Sequence, residues 1–280
     1  MPPPPGGGAI KREGEKGAAF FDLDRTLIAG SSSFQFGRAA YKAGMVSRKE
    51  LARDAYDNVK FRLQGSTDAS ADLVKERVGK MLDGAKVRDL QRLSGPVLAG
   101  VLPRLYPRML DLAYEHQDEG RPIFICTAAA QELAELLAMV LTFDGAVGSV
   151  AEVIDGVYTG REGGPFNYRE GKAQALRELA EREDIDLAAS YAYSDSESDL
   201  PMLRLVGHPV AVNPDATLAR VAREEGWAVL RFERLGLRLR IGGAAAAMAA
   251  LGGLGSFALS RRSAPPRRRS TRASGARLRP

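Results

Sequence analysis

Cysteine, histidine and tryptophan are scarce in this chain, which holds one, two and one of them among its 280 residues. Cys126 has no partner for an internal disulfide, so the chain suits a reducing compartment. His116 and His208 stand at no spacing typical of zinc ligands, which argues against a zinc centre. Residues 1–17 are rich in proline and glycine and lack the apolar stretch of a secretory signal. We therefore expect a disordered leader there and a folded body that stays in the cytoplasm.

Acidic residues are scarce at the C-terminal end. Residues 231–280 hold twelve arginines and one glutamate, a net charge of +11 in a chain that carries +5 overall. The preceding residues 1–230 therefore carry −6. An acidic body argues against nucleic-acid binding by the folded part, whereas the basic tail suits a polyanion such as a surface of anionic lipid.

Charge is absent altogether from residues 241–260, a stretch of twenty residues within the tail. As a helix it would extend about 30 Å, the thickness of a hydrocarbon core. Its seven alanines and five glycines make it only weakly hydrophobic, and arginines on both sides leave its orientation undetermined. Three interpretations stay open: a spanning anchor, an interfacial segment held on anionic lipid, and a disordered tail.

The apolar residues predict an α/β fold. The run Ala18–Phe21 is typical of a buried strand of a parallel sheet, and residues 34–110 carry apolar side chains at helical spacing. From there strands are predicted at 122–127, 190–193, 210–213 and 228–232, a hairpin at 153–160, and helices at 131–141, 171–182 and 200–206. This alternation predicts a doubly wound, mostly parallel, Rossmann-like sheet. Its core comprises residues 18–33 and 111–232, with a helical insertion at 34–110 and a tail at 233–280.

Acidic residues follow two of the predicted strands. Asp22 and Asp24 stand at i and i+2, which places them on one face at the end of the first strand, and Asp195 and Asp199 follow strand 190–193. In an open α/β sheet the carboxyl ends of the strands border the ligand crevice. Four acids there would repel one another unless a cation lies among them, and oxygen ligands favour Mg²⁺. The alternative is solvated acids that cap the following turns.

Two further residues indicate an anion site. Thr127 ends a predicted strand just before a helix, where its hydroxyl and nearby N–H groups suit an anion, or where it serves as a plain N-cap. Lys172 stands at the start of a predicted helix, where the helix dipole disfavours a cation. A bound anion would explain that placement, and a solvated lysine is the alternative.

The four groups of residues, taken in order, resemble the motifs of the haloacid dehalogenase superfamily of phosphohydrolases. The motifs are Asp22-Leu-Asp24-Arg-Thr26, Thr127, Lys172 and Asp195-Ser-Glu-Ser-Asp199. The resemblance covers roughly residues 18–232, and the insertion at 34–110 is similar to the cap of subfamily IB, which contains phosphoserine phosphatase. Gly30-Ser31-Ser32-Ser33 stands where phosphoserine phosphatases have a glutamate that meets the substrate amino group, so the substrate stays open.

The resemblance implies a Mg²⁺-dependent phosphomonoester hydrolase that acts on a small phosphorylated metabolite. Asp22 would form an aspartyl-phosphate, and Asp24 would act as general acid and base. Mg²⁺ would be held by Asp22, the main-chain carbonyl of Asp24, and Asp195. Thr127 and Lys172 would bind the phosphoryl oxygens, and Asp199 would orient Lys172 or a metal-bound water.

Other functions remain to be weighed. An aspartate-phosphorylated receiver module pairs similar residues, but it is about half this size and has no helical insertion after its first acids. A membrane-associated phosphatase of a lipid-linked or lysophospholipid phosphate is compatible with the tail. A non-catalytic, membrane-bound binding protein on the same fold would be expected to lose a motif residue, and all are present. Arg25 either covers the mouth of the site or is solvated.

Overall fold

The computed structural model describes residues 17–47, 79–80, 82–164 and 166–232. Met1–Arg231 form one compact unit and Phe232–Pro280 a second, of which only Phe232 is described. The predicted segment 241–260 and nearly all of the predicted leader lie outside the described residues. Within the described residues, no helix has the length and apolar character needed to cross a bilayer.

Strands and helices alternate along most of the described chain. The strands are β1 (Ala19–Phe21), β2 (Ile123–Ala130), β3 (Gly145–Ser149), β4 (Ala151–Ile154), β5 (Val157–Glu162), β6 (Tyr191–Ser194), β7 (His208–Val212) and β8 (Ala228–Leu230). The helices are α1 (Ser32–Lys42), α2 (Val87–Gln91), α3 (Ser94–Val101), α4 (Pro107–Asp118), α5 (Gln131–Val140), α6 (Glu170–Glu183), α7 (Leu200–Leu203) and α8 (Ala216–Glu224). Short 3₁₀ turns lie at Leu102–Arg104, Leu187–Ala189 and Glu197–Asp199.

Six strands form one sheet in the order β3-β2-β1-β6-β7-β8, and every neighbouring pair is parallel. The predicted α/β, doubly wound fold is therefore confirmed. The chain runs outward from β1 through β2 to β3, then crosses to β6 and continues to β8 on the other side. The strand order therefore reverses between β1 and β6, and a sheet of this kind binds its ligand at such a reversal.

Each face of the central strand β1 meets a different set of side chains, because successive residues of a strand point to opposite faces. Phe20 stacks on Phe124 with ring centroids 5.7 Å apart, in a core that also holds Leu176 and Leu203. Phe21 points the other way and stacks on Tyr193 at 4.5 Å. β1 is therefore buried on both faces, as its continuous apolar run predicted.

The predicted hairpin is confirmed as the antiparallel pair β4–β5. Asp155 and Gly156 form its two-residue turn with φ angles of 51° and 76°. Both angles are positive, which is the conformation that an Asp-Gly turn between two strands favours. The hairpin reaches residues of the predicted cap, since Gly84 donates its N–H to the carbonyl of Tyr158 at 2.9 Å.

Some elements differ from their prediction. β3 and α8 were not predicted: the sequence of β3, Gly-Ala-Val-Gly-Ser, offers a single large apolar residue, and the apolar residues of α8 form only a short stripe. Gly95 and Pro96 lie in the first turn of α3, where a proline is tolerated because the amide there needs no helical partner. Helix α4 runs across residue 110, the predicted end of the insertion. Residues 48–78 of that insertion lie outside the described residues.

Candidate active site

The structure brings the predicted site residues to one edge of the sheet. Asp22 directly follows β1 and Asp195 directly follows β6, whereas Thr127 lies within β2, which continues to Ala130. The N-cap of α5 is Ala130, so the alternative that Thr127 caps that helix is wrong. β1 lies between β2 and β6 and pairs with both in parallel register. Parallel strands end at the same edge, so residues that are about a hundred or more positions apart in sequence become neighbours there.

Lys172 joins two of the acids. It lies in the first turn of α6, is 3% exposed, and its Nζ lies 2.8 Å from Asp22 Oδ1 and 2.8 Å from Asp199 Oδ1. Burial by itself would lower the pKa of Lys172, but the charges of Asp199 and Asp22 outweigh burial and raise the pKa above its usual value. The lysine is therefore a buried cation at neutral pH, held in one place by two carboxylates.

Asp199 is also held from the side of β6. Ser194, the last residue of that strand, donates its hydroxyl to Asp199 Oδ2 at 2.6 Å. Two partners were predicted for Asp199, either Lys172 or a metal-bound water, and in the structure it pairs with Lys172. Ser194 was not predicted, although it directly precedes Asp195 at the strand end, a position that gives a hydroxyl access to the same acids.

Asp22 is a buried acid whose ionisation depends on the charges beside it. Burial raises the pKa of Asp22 to about 7, Lys172 opposes that rise, and the nearby Asp199 adds to it. A carboxylate must be ionised to act as a nucleophile, so further positive charge near Asp22 would favour its reactive form.

Asp24 lies beside the start of α1. Its Oδ1 accepts a hydrogen bond from the N–H of Ser32 at 2.8 Å, and the next residue, Arg25, turns the chain with a φ of 64°. Ser31 is the N-cap of α1 and accepts from the N–H of Phe34 at 3.3 Å. Burial raises the pKa of Asp24, and hydrogen bonds from Ser32 and Ser31 oppose the rise. A raised pKa favours the protonated form of a carboxyl group, which is the form that a general acid needs.

Arg25 pairs with Asp195. Its Nη1 lies 2.9 Å from Asp195 Oδ2, and its side chain is 29% exposed while that of Asp195 is 5% exposed. Burial raises the pKa of Asp195 well above its usual value, Arg25 opposes this, and Asp22 and Asp199 add to it. Two positions were considered for Arg25, over the mouth of the site or in solvent. Its guanidinium contacts Asp195, a predicted metal ligand, which answers that question in part.

The charge balance of the site favours a cation. Among the described residues, no three His, Cys, Asp or Glu side chains are grouped so as to hold a metal ion. The predicted Mg²⁺ ligands are not a group of three such side chains. They are the carboxylates of Asp22 and Asp195 and the main-chain carbonyl of Asp24. Burial raises the pKa values of Asp22 and Asp195, and neighbouring carboxylates raise them further, so a bound cation would favour the ionised forms of both acids. Hard oxygen donors with excess negative charge fit Mg²⁺.

Thr127 is 2% exposed, and its Oγ1 accepts a hydrogen bond from the N–H of Ala129 at 3.1 Å. Its main-chain carbonyl accepts a hydrogen bond from Asn167 Nδ2 at 2.6 Å. Asn167 is not among the site residues that the sequence predicted. The only feature that could have indicated it is its place five residues before Lys172, in a stretch without regular structure.

A profile of the haloacid dehalogenase-like hydrolases matches residues 19–204. Among curated proteins, phosphoserine phosphatase SerB1 of Mycobacterium tuberculosis is 38% identical over 252 residues, which cover 88% of this chain and 81% of that protein. A histidinol-phosphatase of Neisseria meningitidis is 32% identical over 223 residues, covering 78% of this chain and 100% of that protein. A crystal structure of a Bordetella pertussis protein of unknown function is similar with a TM-score of 0.68 and 26% identity, covering 78% of this chain and 99% of that one.

Proposed function

This chain is a phosphatase that belongs to the haloacid dehalogenase-like hydrolase family, and on that premise we propose that it hydrolyses small phosphomonoesters through an aspartyl-phosphate on Asp22. The observation that carries the proposal is the pair of 2.8 Å contacts of Lys172 with Asp22 and Asp199 at the reversal of strand order. These contacts support the proposal because the Asp22 carboxylate and a buried cation lie side by side, where a phosphoryl group can meet both.

In the first step, an oxygen of Asp22 attacks phosphorus, and the bond from phosphorus to the leaving oxygen breaks. Asp24 donates its proton to that leaving oxygen, and its raised pKa supports this role. In the second step a water attacks the phosphorus, the bond from phosphorus to the Asp22 oxygen breaks, and the water gives a proton back to Asp24. Inorganic phosphate leaves, and both aspartates return to their starting forms.

Lys172 and Thr127 bind the phosphoryl oxygens. Negative charge concentrates on those oxygens during the transfer, and a cation held rigidly by Asp22 and Asp199 requires little rearrangement to stabilise it. Mg²⁺, held by Asp22, the Asp24 carbonyl and Asp195, would neutralise charge between nucleophile and phosphate. Asp199 orients Lys172 and does not itself touch the substrate.

The covalent step can be tested directly. Wild-type protein is mixed with a phosphoryl-labelled substrate, quenched in acid and digested. We expect the label on the peptide that contains Asp22, and no label on that peptide from the Asp22→Asn variant. Label that persists on another residue in both proteins would contradict the assignment.

The leaving group is proposed only as a class. The names of the two curated relatives make phosphoserine and histidinol phosphate the first compounds to test. In this chain the turn before α1 offers serines, with Ser31 as the N-cap and no acid in the first helical turn. A screen of purified protein against phosphorylated metabolites, with lysophospholipid phosphates included, would rank the candidates by kcat/KM.

The tail suggests where the phosphatase works. We propose that residues 233–280 bring the enzyme to the inner face of a membrane, since they are basic and contain the uncharged segment 241–260. A lipid-linked substrate would be compatible with that location. A purely non-catalytic binding role is disfavoured, because the acids and the lysine of the site are all present and are brought together.

A further inference from the structure

The pairing of β2 with β3 changes register beside the phosphate-binding residue Thr127. Phe124, Ile125 and Cys126 pair in step with residues 145–147 of β3, but the next pair is Ala130 with Ser149. From one pair to the next, the chain advances four residues along β2 but only two along β3. The backbone of residues 127–129 loses its regular ladder partners at this irregularity and needs other hydrogen-bond partners.

Side chains supply those partners. Asn167 is 1% exposed, and its Nδ2 donates to the carbonyls of Thr127 at 2.6 Å and Val147 at 2.9 Å. One amide therefore joins β2 to β3 across the irregularity. Nearby, Ser149 Oγ donates to the Ala128 carbonyl at 2.9 Å.

The chemistry of this position suits asparagine. A side-chain amide has two N–H donors, and both neighbours of Asn167 Nδ2 are carbonyl oxygens that can only accept. A carboxylate of the same shape would place negative charge against both carbonyls, and an apolar residue would leave them unsatisfied. The Oδ1 of Asn167 is buried without a hydrogen-bond partner among the described residues, so the hydrogen bonds of Nδ2 determine the orientation of the amide.

Asn167 also begins the turn that leads to Lys172. Within this turn Tyr168 donates its N–H to the Phe166 carbonyl at 2.7 Å, and Gly171 donates to the Tyr168 carbonyl at 3.0 Å. The turn is tight, because a Cβ at position 171 would clash with the Phe166 oxygen. Its first residue is therefore connected to Lys172 through a short segment of closely packed backbone.

We infer that Asn167 is a positioning residue that fixes Thr127 relative to Lys172, so that both side chains meet the same phosphoryl group. The inference rests on the proposed function. Asn167 touches no reacting atom: it holds the Thr127 main chain on one side and starts the turn of Lys172 on the other. The pairing of β2 with β3 at residues 124–126 is made by the backbone without it, so its contribution concerns the placement of Thr127 more than the existence of the sheet.

The test uses the full chain and two variants, Asn167→Asp and Asn167→Ala. Binding of inorganic phosphate is measured by calorimetry, kcat and KM with p-nitrophenyl phosphate, and folding by thermal melting. Ser190→Ala is the matched control, since Ser190 is also buried and its Oγ makes two hydrogen bonds to main chain, with Ala18 N and Asp186 O, at the opposite end of the sheet.

We expect both Asn167 variants to fold, to bind phosphate at least about tenfold more weakly, and to lose about 10- to 100-fold in kcat/KM. Ser190→Ala should lower the melting temperature but bind phosphate within about twofold of wild type. Phosphate binding at the wild-type level in folded Asn167 variants would overturn the inference. Failure of both variants to fold would also overturn it, because Asn167 would then hold the fold and not the site. A wild-type protein that neither binds phosphate nor hydrolyses any phosphomonoester would instead overturn the proposed function.

Discussion

Two polar clusters border β6, one through the Tyr193 hydroxyl and the other through Ser194 Oγ. They differ in how their charges are balanced. The carboxylate cluster consists of Asp22, Asp24, Asp195, Asp199 and Lys172. The histidine cluster consists of His116, Arg121, Tyr191 and Tyr193. Both contain buried groups that ionise, but only the first holds several like charges close together.

The histidine cluster matches its donors to its acceptors. Arg121 Nε donates to His116 Nδ1 at 2.9 Å, so the ring proton must be on Nε2, which lies 2.7 Å from the Tyr193 hydroxyl. Tyr191 packs against the imidazole at 4.5 Å between ring centroids. Burial and the positive charge of Arg121 lower the pKa of His116 to about 4, so the ring is neutral at physiological pH.

The carboxylate cluster is unbalanced in comparison. Burial raises the pKa values of Asp22, Asp24 and Asp195, and other carboxylates raise those of Asp22 and Asp195 further. Keeping a group in an unfavourable ionisation state lowers the stability of the fold, and groups of this kind cluster at catalytic sites. The comparison therefore predicts that the carboxylate cluster serves activity and the histidine cluster serves stability.

The strongest test of this division is Asp22→Asn. We expect turnover of p-nitrophenyl phosphate to fall on the order of 10⁴-fold or more, because the nucleophile is lost. Lys172 retains Asp199 as a partner, so the melting temperature should stay near that of wild type or rise. Near-normal activity in the folded variant would contradict the role of Asp22.

Removal of divalent cations should also stop turnover, but reversibly. Two buried carboxylates with raised pKa values need a cation to be fully ionised near the phosphate. Chelation should therefore abolish activity, and added Mg²⁺ should restore it. Ca²⁺ should not replace Mg²⁺, because its larger, looser coordination alters the geometry of the attack. Full activity after exhaustive chelation would exclude a metal requirement.

Asp24→Asn should have the next largest effect, a loss of about 10²- to 10⁴-fold in kcat. The amide cannot donate a proton to the leaving oxygen and then accept one from water. The loss in kcat should be smaller for an activated substrate with a good leaving group than for an alkyl phosphate, because a good leaving group needs less protonation by an acid. Equal losses for the two substrates would argue against Asp24 as the general acid.

His116→Gln should change stability and leave kcat unchanged. The unfolded chain binds a proton at His116 near pH 6.5, whereas the folded chain does so only near pH 4. The stabilisation from the neutral ring is therefore complete above pH 6.5 and is lost as the pH falls from 6.5 to 4. The wild type should lose stability more steeply than His116→Gln over that interval in urea melts. An unchanged slope in His116→Gln would contradict this role.

Truncation at Phe232 should have the smallest effect on catalysis. All residues of both clusters lie in the first compact unit, so we expect kcat within about twofold of the full chain. Location should change instead: full-length protein should pellet with membranes and the truncated protein should not. Resistance to alkaline carbonate would indicate a spanning segment, whereas release by high salt would indicate electrostatic binding. Recovery of the full-length protein wholly in the soluble fraction would exclude an anchor.

The success of the sequence predictions depended on how local each feature is. The pair Asp22 and Asp24 is visible because both follow an apolar strand at a spacing of two, and the Asp155-Gly156 turn because both residues favour positive φ. β3 was missed, since an edge strand with two glycines has little apolar signal. Asn167 was missed because its partners are the main-chain carbonyls of two strands, which no side-chain pattern reveals.

The α/β class, the family resemblance and the candidate site residues could be predicted from the sequence, because strand periodicity and acids at strand ends are properties of neighbouring positions. Which of those residues meet depends on how the chain folds. Lys172 and Asp22 are 150 positions apart, and they touch because parallel strands end at a common edge and α6 returns to that edge. The contact of Arg25 with Asp195 and the bridge of Asn167 between β2 and β3 have the same origin. They arise from packing between distant segments, so their partners are defined only when the sheet has formed.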